Sequence, residues 1–175
     1  MTDKLNISIR ELGKEDEEFL WEMLYHAIYI PEGIEPPPRD ILNSPELNRY
    51  ANEWGKPGDM GFIAVDECNG NKLGAVWIRL LIGDNKGFGY IDDLTPELSI
   101  AVVPRYRGQG VGGQLIRYLF QEVQFRYPSV SLSVSTDNPA LRLYRRLGFE
   151  TVSENHNSMT MIKVLGEKNK TTEKQ

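Results

Sequence analysis

A glycine-rich segment at 107–113 carries the residue pattern most suited to chemistry in this sequence of 175 residues. Glycine lacks a Cβ atom, so a loop built from glycines turns tightly and brings its own N–H groups against a ligand. The apolar periodicity from Gln114 onward predicts a helix, and a helix start offers unpaired N–H groups and a partial positive charge. The segment is therefore predicted to cradle an anion such as a phosphate, with the basic Arg107 at its entrance.

Two classes of phosphate-bearing ligand compete for this loop. Gly108, Gly110 and Gly113 satisfy the dinucleotide pattern G-x-G-x-x-G, and the acidic Asp137 follows after a second predicted strand. Four residues, however, separate the predicted strand at 98–103 from Gly108, and only 38 residues follow Asp137. That remainder is too short to complete a doubly wound sheet. The other two interpretations are a pyrophosphate loop of the acetyl-coenzyme A kind and a glycine-rich connection that binds no ligand.

Two motifs carry a family resemblance. The motif Arg107-x-x-Gly110-x-Gly112, after an extended strand, resembles the acyl-CoA loop of the GCN5-related N-acetyltransferase (GNAT) superfamily. Downstream, the segment 138–149 resembles the second signature of that superfamily, with Tyr144 six residues after Asn138 and a closing Gly-Phe pair. The resemblance is specific over about 94–152, where both motifs stand in the right order with a strand between them, and it is only architectural before that.

The resemblance implies acetyl-CoA as co-substrate and no metal. In that fold the pantetheine arm lies in a gap between the central strand and the strand at 130–135, and the glycine loop holds the pyrophosphate. A backbone N–H near Val102 or Val103 would stabilise the negative oxygen that forms on the acyl group. The residues expected to bind the cofactor are Val102, Val103, Arg107, Gly108, Gln109, Gly110, Val111, Gly112, Gly113, Asn138 and Tyr144.

Transfer to an amine requires a base, because alkylamines are mostly protonated at pH 7. Glu97 opens the central strand and resembles the family position where a glutamate base is sometimes found. A solvated glutamate is the alternative interpretation of Glu97, and His26 is an alternative base by its chemistry. Tyr144 matches the family's proton donor for the departing thiolate, or else it only packs. Without an evident serine or cysteine nucleophile, direct transfer is favoured over a covalent intermediate.

Two surfaces are candidates for the acceptor. Asp92, Asp93 and Glu97 place three carboxylates within six residues at the start of the central strand, which predicts a small cationic amine. A peptide acceptor would instead use aromatic side chains and the proline-rich segment 31–38. The aromatic candidates for contact with an acceptor are Trp21, Tyr25, Tyr29 and Trp77. The alternative for the acidic turn is that it is only solvated. The alternative for the aromatic side chains is that a neighbouring segment covers them.

Composition excludes several classes of protein. Hydrophobic and charged fractions of 40% and 26% describe a globular chain, and a net charge of −5 argues against nucleic-acid binding. One cysteine excludes an internal disulfide framework and a cysteine-built metal site. The start of the sequence lacks a signal-peptide pattern and no stretch is long and apolar enough to span a membrane, which predicts a cytoplasmic protein without membrane contact.

Hydrophobic patterning predicts one GNAT-like domain over 1–165 and a polar, disordered tail over 166–175. Strands are expected at 5–10, 62–67, 72–82, 98–103, 130–135, 149–153 and 159–164, and helices at 15–30, after Ser44, from Gln114 and at 139–147. The resemblance then implies an α/β (α+β) fold, with a mixed, mostly antiparallel sheet that splays between the central strand and the next one.

The expected function is N-acetyl transfer from acetyl-CoA to a primary amine of a small cationic molecule. Two alternatives stay open at this stage, namely acetylation of a peptide or protein amine, and a non-catalytic sensor that binds acyl-CoA. A homodimer is compatible with the sequence.

Overall fold

A seven-stranded sheet organises residues 4–166, the part of the chain that the computed structural model describes. The strands are β1 (Ile7–Glu11), β2 (Met60–Asp66), β3 (Lys72–Arg79), β4 (Glu97–Val102), β5 (Ser129–Ser135), β6 (Glu150–Glu154) and β7 (Ser158–Val164). The α-helices are α1 (Glu17–Ala27), α2 (Pro45–Asn48), α3 (Val111–Val123) and α4 (Leu141–Arg146). The predicted tail falls outside the described residues from position 167 onward.

The order of the strands in the sheet is β1-β2-β3-β4-β5-β7-β6, and β4–β5 is the one parallel pair in this order. Strand β4 pairs with β3 along its whole length. With β5, in contrast, it pairs only at Glu97 and Ser131. Beyond this point the two strands part, so the predicted fold class is confirmed, including the splay.

The two faces of the sheet carry two hydrophobic cores. Helix α3 covers one face with the apolar stripe that the sequence predicts, and α1 covers the other. Along β4, Leu98, Ile100 and Val102 belong to the core beneath α3, while Ala101 belongs to the core beneath α1. This alternation follows from the two-residue period of a strand. Glu97 shares the α1 side with Ala101 by the same period.

Three helix boundaries differ from the sequence prediction. Helix α1 ends at Ala27, and Ile28 is extended (φ −70°, ψ 118°). Pro31 explains why the helix cannot include Ile30, since proline disfavours the helical region for the residue directly before it. Helix α2 ends after a single turn at Asn48, with irregular turns beyond it. Helix α3 begins three residues earlier than expected, at Val111, because glycines are tolerated in a first turn that packing supports.

A buried ion pair fastens the segment after α2 to the sheet. Arg79 of β3 contacts Asp59 at 2.8 Å, and the two side chains are only 5% and 4% exposed. The same guanidinium donates to the backbone carbonyls of Arg49, Asn52 and Glu53. Because one cation ties together so many carbonyls, it sets the position of the whole turn from 49 to 53.

Neither a membrane span nor a metal cluster is found in residues 4–166. No helix there is long and apolar enough to cross a membrane. No group of three or more His, Cys, Asp or Glu side chains there could hold a metal ion.

Replacement of Asp59 by Ala should destabilise the fold strongly. It leaves the buried Arg79 guanidinium without its counter-charge, which typically costs about 3–5 kcal/mol. Lys56→Ala is the matched control, since it breaks an exposed pair with Glu53 and should cost less than about 1 kcal/mol. Urea denaturation measures both, and an equal small loss in the two variants would contradict the structural role of the buried pair.

Candidate active site

A cleft of about 790 Å³ opens where β4 and β5 part. One wall is the end of α1 with the residues that follow it, the second is the β4 strand, and the third is the glycine loop with α3 and α4. Its lining residues include Tyr29, Ile100, Val102, Arg107, Gly108, Gly110, Val111, Gly112, Gly113, Asn138 and Tyr144. Most of the residues predicted to bind a cofactor therefore meet in one place, although they come from separate parts of the chain.

The glycine loop turns through two residues in the left-handed region. Gly108 has φ +75° and Gly110, directly before α3, has φ +83°. A Cβ atom at either position would meet no neighbour within 4 Å, so the glycines are required by backbone conformation and leave open space beside the loop. The first α3 hydrogen bond runs from Gln114 N to the Gly110 carbonyl. The N–H groups of Val111, Gly112 and Gly113, residues that line the cleft, thus lack partners within the helix.

Arg107 spans the mouth of the cleft. Its Nε donates to the Val102 carbonyl at 3.2 Å and its Nη2 donates to the His26 carbonyl at 3.2 Å. The guanidinium thereby ties the end of β4 to the end of α1, a contact that the sequence alone did not indicate. Gln109 lies off the cleft and donates through Nε2 to the Arg105 carbonyl at 3.5 Å.

The β4 backbone offers N–H groups to the gap at alternate residues. The Val103 N–H donates to the Leu73 carbonyl at 2.8 Å, so it is engaged with β3 and is not available to a ligand. Alternate residues of a strand direct their N–H groups to opposite sides, so the N–H groups of Val102 and Ile100 point into the gap left by β5. Of the two predicted donors, Val102 is thus suitably placed and Val103 is not, and Ile100 was missed.

Helix α4 brings Tyr144 to the cleft, and the turn before the helix brings Asn138 there. The Asn138 Oδ1 accepts the Ala140 N–H at 2.9 Å, which starts the helical turn. The Tyr144 ring packs edge-on against Phe149 at 5.9 Å between centroids. Burial raises the pKa of Tyr144 to about 12. Its hydroxyl is therefore protonated at neutral pH and can act as a proton donor.

Glu97 lies at the point where the two strands part, and its carboxyl is buried with a residue exposure of 5%. Oε1 accepts hydrogen bonds from the Tyr50 hydroxyl (2.6 Å) and the Gly89 N–H (2.9 Å). Burial raises the pKa of Glu97, and these two donors oppose the rise. A carboxylate with a raised pKa binds a proton more readily, which suits a base, and the alternative of a solvated glutamate is wrong.

His26 also lines the cleft. Its Nε2 lies 3.0 Å from Glu22 Oε1 on the same helix. Arg39 pairs with that same glutamate, so the imidazole and the guanidinium share one carboxylate. No described contact links the His26 ring to Glu97 or Tyr144, and His26 stays the alternative candidate base.

The aromatic acceptor candidates divide between the core and the cleft. Trp77 is fully buried and its Nε1 donates to the Tyr50 carbonyl at 2.9 Å, so it is a core residue rather than an acceptor contact. Trp21 and Tyr25 pack partly against the core beneath α1, and the Tyr25 hydroxyl donates to the Pro37 carbonyl. Tyr29 lines the cleft, and its hydroxyl donates to the Asp137 carbonyl at 3.2 Å.

The acidic turn before β4 is exposed and internally bonded. The Asp92 Oδ1 accepts the Leu94 N–H and the Thr95 hydroxyl. The Asp93 Oδ1 accepts the Tyr90 hydroxyl at 2.6 Å. Neither carboxylate lines the cleft, so any influence on an acceptor would act through charge at a distance.

Sequence reasoning missed three residues around Glu97, namely Tyr50, Gly87 and Gly89. The sequence pattern predicts Tyr50 to be one more buried residue in a helical stripe, and it predicts the two glycines to be part of a flexible loop. The available signal was the Gly-Phe-Gly triplet at 87–89, where two glycines in three residues indicate a close backbone approach. What they approach is apparent only in three dimensions.

Comparison with known proteins identifies the family. A family model described as the acetyltransferase (GNAT) domain matches residues 57–151, which is more than half of the chain. Mycothiol acetyltransferase from Arthrobacter sp. (strain FB24) is 28% identical over 149 residues, covering 82% of this chain and 42% of that protein. The chain thus spans about two fifths of the length of this curated relative.

Solved structures share the fold at lower identity. The ribosomal-protein-S18-alanine N-acetyltransferase from Escherichia coli has a TM-score of 0.62 and 19% identity, over 93% of this chain and 97% of that one. Spermidine N-acetyltransferase from Vibrio cholerae, in complex with CoA and spermine, has a TM-score of 0.61 and 20% identity, over 90% and 95% of the two chains. The family model includes the β2–β5 strands, the glycine loop and Tyr144. The chain therefore belongs to the GNAT acetyltransferase family, as the sequence predicts.

Proposed function

We propose that residues 1–165 form one catalytic domain that transfers the acetyl group of acetyl-CoA directly to a primary amine. The observation that carries the proposal is the parting of β4 and β5 after Glu97 and Ser131. It leaves a strand edge unpaired between a glycine loop at one end and a buried carboxylate at the other. An unpaired edge inside a cleft needs a ligand or water to bond it.

The residues of the cleft fit the chemical parts of acetyl-CoA. The free N–H groups at the start of α3 suit the pyrophosphate, and the gap-facing β4 backbone suits the amide groups of the pantetheine arm. The N–H groups of Val102 and Ile100 would also stabilise negative charge that develops on the acyl oxygen. Acetyl-CoA supplies the activated thioester, and the protein positions it.

Two side chains would move protons during transfer. Glu97 would take the proton from the acceptor ammonium, which frees the nitrogen electron pair for attack on the acyl carbon. Tyr144 would give its proton to the thiolate as the C–S bond breaks, and the second proton that the nitrogen loses would restore the Tyr144 hydroxyl. Neither step needs a covalent acyl-enzyme.

For the acceptor we propose a small cationic amine. The net charge of −5 attracts cations, the turn with Asp92 and Asp93 adds two carboxylates just before β4, and one fold neighbour is named for spermidine. Another neighbour is named for a ribosomal protein, so a protein or peptide amine is the second candidate. Tyr29 in the cleft wall is the aromatic side chain that could contact such a chain.

Replacement of Gly110 by Asp should abolish tight acetyl-CoA binding. The variant adds a carboxylate beside the predicted pyrophosphate site, and like charges about 4 Å apart repel by a few kcal/mol near a protein surface. We expect the dissociation constant to rise by about a hundredfold or more in isothermal titration calorimetry. Gly70→Asp is the matched control, because Gly70 in the β2–β3 turn has a similar positive φ (76° against 83°) and likewise no neighbour within 4 Å of a Cβ atom. Equal affinities in both variants would contradict the loop assignment.

Replacement of Tyr144 by Phe should slow the chemical step while acetyl-CoA affinity survives. The change removes one hydroxyl and little volume, and loss of an acid catalyst costs about 100-fold or more. Rapid-quench single-turnover kinetics isolate that step from product release. Tyr118→Phe, a ring that packs on Phe62 from α3, is the control. An unchanged single-turnover rate would eliminate Tyr144 as the proton donor.

A thiol-release screen with acetyl-CoA should find turnover with small cationic amines. Polyamines, aminoglycosides, amino acids and peptides form the panel. In the double variant Asp92→Asn/Asp93→Asn, KM for the best small amine should rise and lose part of its salt dependence, since two attracting charges are gone. The amide oxygens can still accept the bonds of the turn. The control is Glu150→Gln/Glu154→Gln, which changes the net charge equally on the exposed β6 strand.

The same screen separates the alternatives. Preference for peptides over every small amine would replace the small-amine acceptor with a protein amine. Tight acetyl-CoA binding without thiol release on any amine would favour a non-catalytic sensor and contradict the proposed enzyme.

A further inference from the structure

The two oxygens of the Glu97 carboxyl have different surroundings. Oε1 accepts two hydrogen bonds, from the Tyr50 hydroxyl and the Gly89 N–H. Oε2 is buried and is the one side-chain N or O atom in residues 4–166 that is both buried and without a hydrogen-bond partner. A buried polar atom without a partner costs free energy, so Oε2 is the oxygen of this carboxyl that is left for a donor from outside the chain.

The loop before β4 rests directly on this carboxyl. A Cβ atom at Gly87 would lie 2.0 Å from Glu97 Oε2 and 2.5 Å from the Tyr50 hydroxyl, and one at Gly89 would lie 2.8 Å from the Leu132 carbonyl carbon. Any side chain at these positions would therefore displace the carboxyl or the loop. The Ser131 hydroxyl bonds the Gly89 carbonyl at 2.7 Å and holds the loop against β5.

Tyr50 joins three parts of the chain at this point. Its hydroxyl donates to Glu97 on β4 and accepts the Phe88 N–H of the loop at 2.8 Å. Its ring stacks on Phe88 at 6.3 Å between centroids. Its own position comes from the turn after α2 that Arg79 fastens to the sheet. The Phe88 N–H occupies the hydroxyl as a donor, so the single hydroxyl proton of Tyr50 is donated to Glu97.

We propose that Tyr50 is a positioning residue for the base: together with the Gly89 N–H it holds Oε1 of Glu97 and leaves Oε2 as the atom that accepts the proton of the acceptor amine. This inference rests on the proposed function. In the step, one N–H bond of the ammonium breaks and an O–H bond forms at Oε2. The electron pair of the broken bond stays on nitrogen and then attacks the acyl carbon.

The two hydrogen bonds to Oε1 of Glu97 serve the proposed reaction in two ways. Donors on Oε1 favour the charged carboxylate and so limit the rise of the Glu97 pKa that burial causes. They also fix the rotation of the carboxyl, so that the bare oxygen keeps one direction. Arg49 nearby lowers the Glu97 pKa slightly, and Arg79, the residue opposite Glu97 on β3, is neutralised by Asp59. The remaining charged or titratable side chains of the loop between β3 and β4 are Asp84, Lys86, Tyr90, Asp92 and Asp93.

Tyr50→Phe is the test, because it removes only the hydroxyl and keeps the ring against Phe88. The lost donor stabilised the charged form, so the Glu97 pKa should rise, by about one unit for a bond to a charged group. Carbon-13 NMR of glutamate-labelled protein measures that pKa without any acceptor, with the Glu97 signal assigned as the one lost in Glu97→Gln. The acidic limb of kcat/KM for the best amine of the screen should move up by the same amount. The amine's own titration is common to both proteins and cancels.

Tyr127→Phe is the matched control, since that hydroxyl donates to the Gly58 carbonyl away from Glu97 and its loss should move neither quantity. Thermal unfolding and acetyl-CoA affinity check that each variant is folded. An unchanged Glu97 pKa in Tyr50→Phe would overturn the positioning role. A raised pKa with an unmoved acidic limb would overturn Glu97 as the base. Absence of thiol release from the wild-type protein with every amine would instead overturn the proposed function, while the NMR titration would still decide whether Tyr50 holds the carboxyl.

Discussion

The parting of β4 from β5 is the constraint on which the rest of this structure depends. A parallel neighbour along the whole of β4 would hydrogen-bond all the N–H and carbonyl groups on that edge of the strand. The pairing with β5, however, stops at Glu97 and Ser131. The unpaired N–H and carbonyl groups of the strand then need partners, and such groups are rarely left unbonded inside a protein. The cleft is the consequence, because helices α1, α3 and α4 cover the faces of the sheet without filling the gap.

A strand at such a gap can serve several tasks at once. Its N–H groups lie in the plane of the sheet and point into the cleft at Ile100 and Val102, while its side chains alternate above and below. Glu97 can therefore stand on the α1 side while neighbouring residues belong to the core beneath α3. This geometry separates the groups that would hold a cofactor from the group that would act on an acceptor.

The contacts that hold the Glu97 carboxyl lead back to the sheet as well as to the covering loop. The Arg79 guanidinium fixes the turn that carries Tyr50, and Tyr50 in turn fixes Glu97 and the loop at Phe88. The chain of contacts runs from β3 to the turn and back to β4. Separating a buried ion pair leaves a buried charge without its counter-charge, which is strongly destabilising. The Arg79–Asp59 pair therefore constrains the site although it lies outside the cleft.

The sequence by itself determined the local features: the glycine loop before α3, the strand that ends before Pro104, the helix with Tyr144 and the Asn138 turn before it, and through them the family. These follow from short-range rules, such as the need of Gly110 for a positive φ and the inability of proline to continue a strand. Only the tertiary structure decided the environment of Glu97. Tyr50 and Glu97 are 47 residues apart, and no periodicity relates them. It also placed Trp77 in the core and engaged the Val103 N–H with β3, because burial and strand pairing depend on which distant segments pack together.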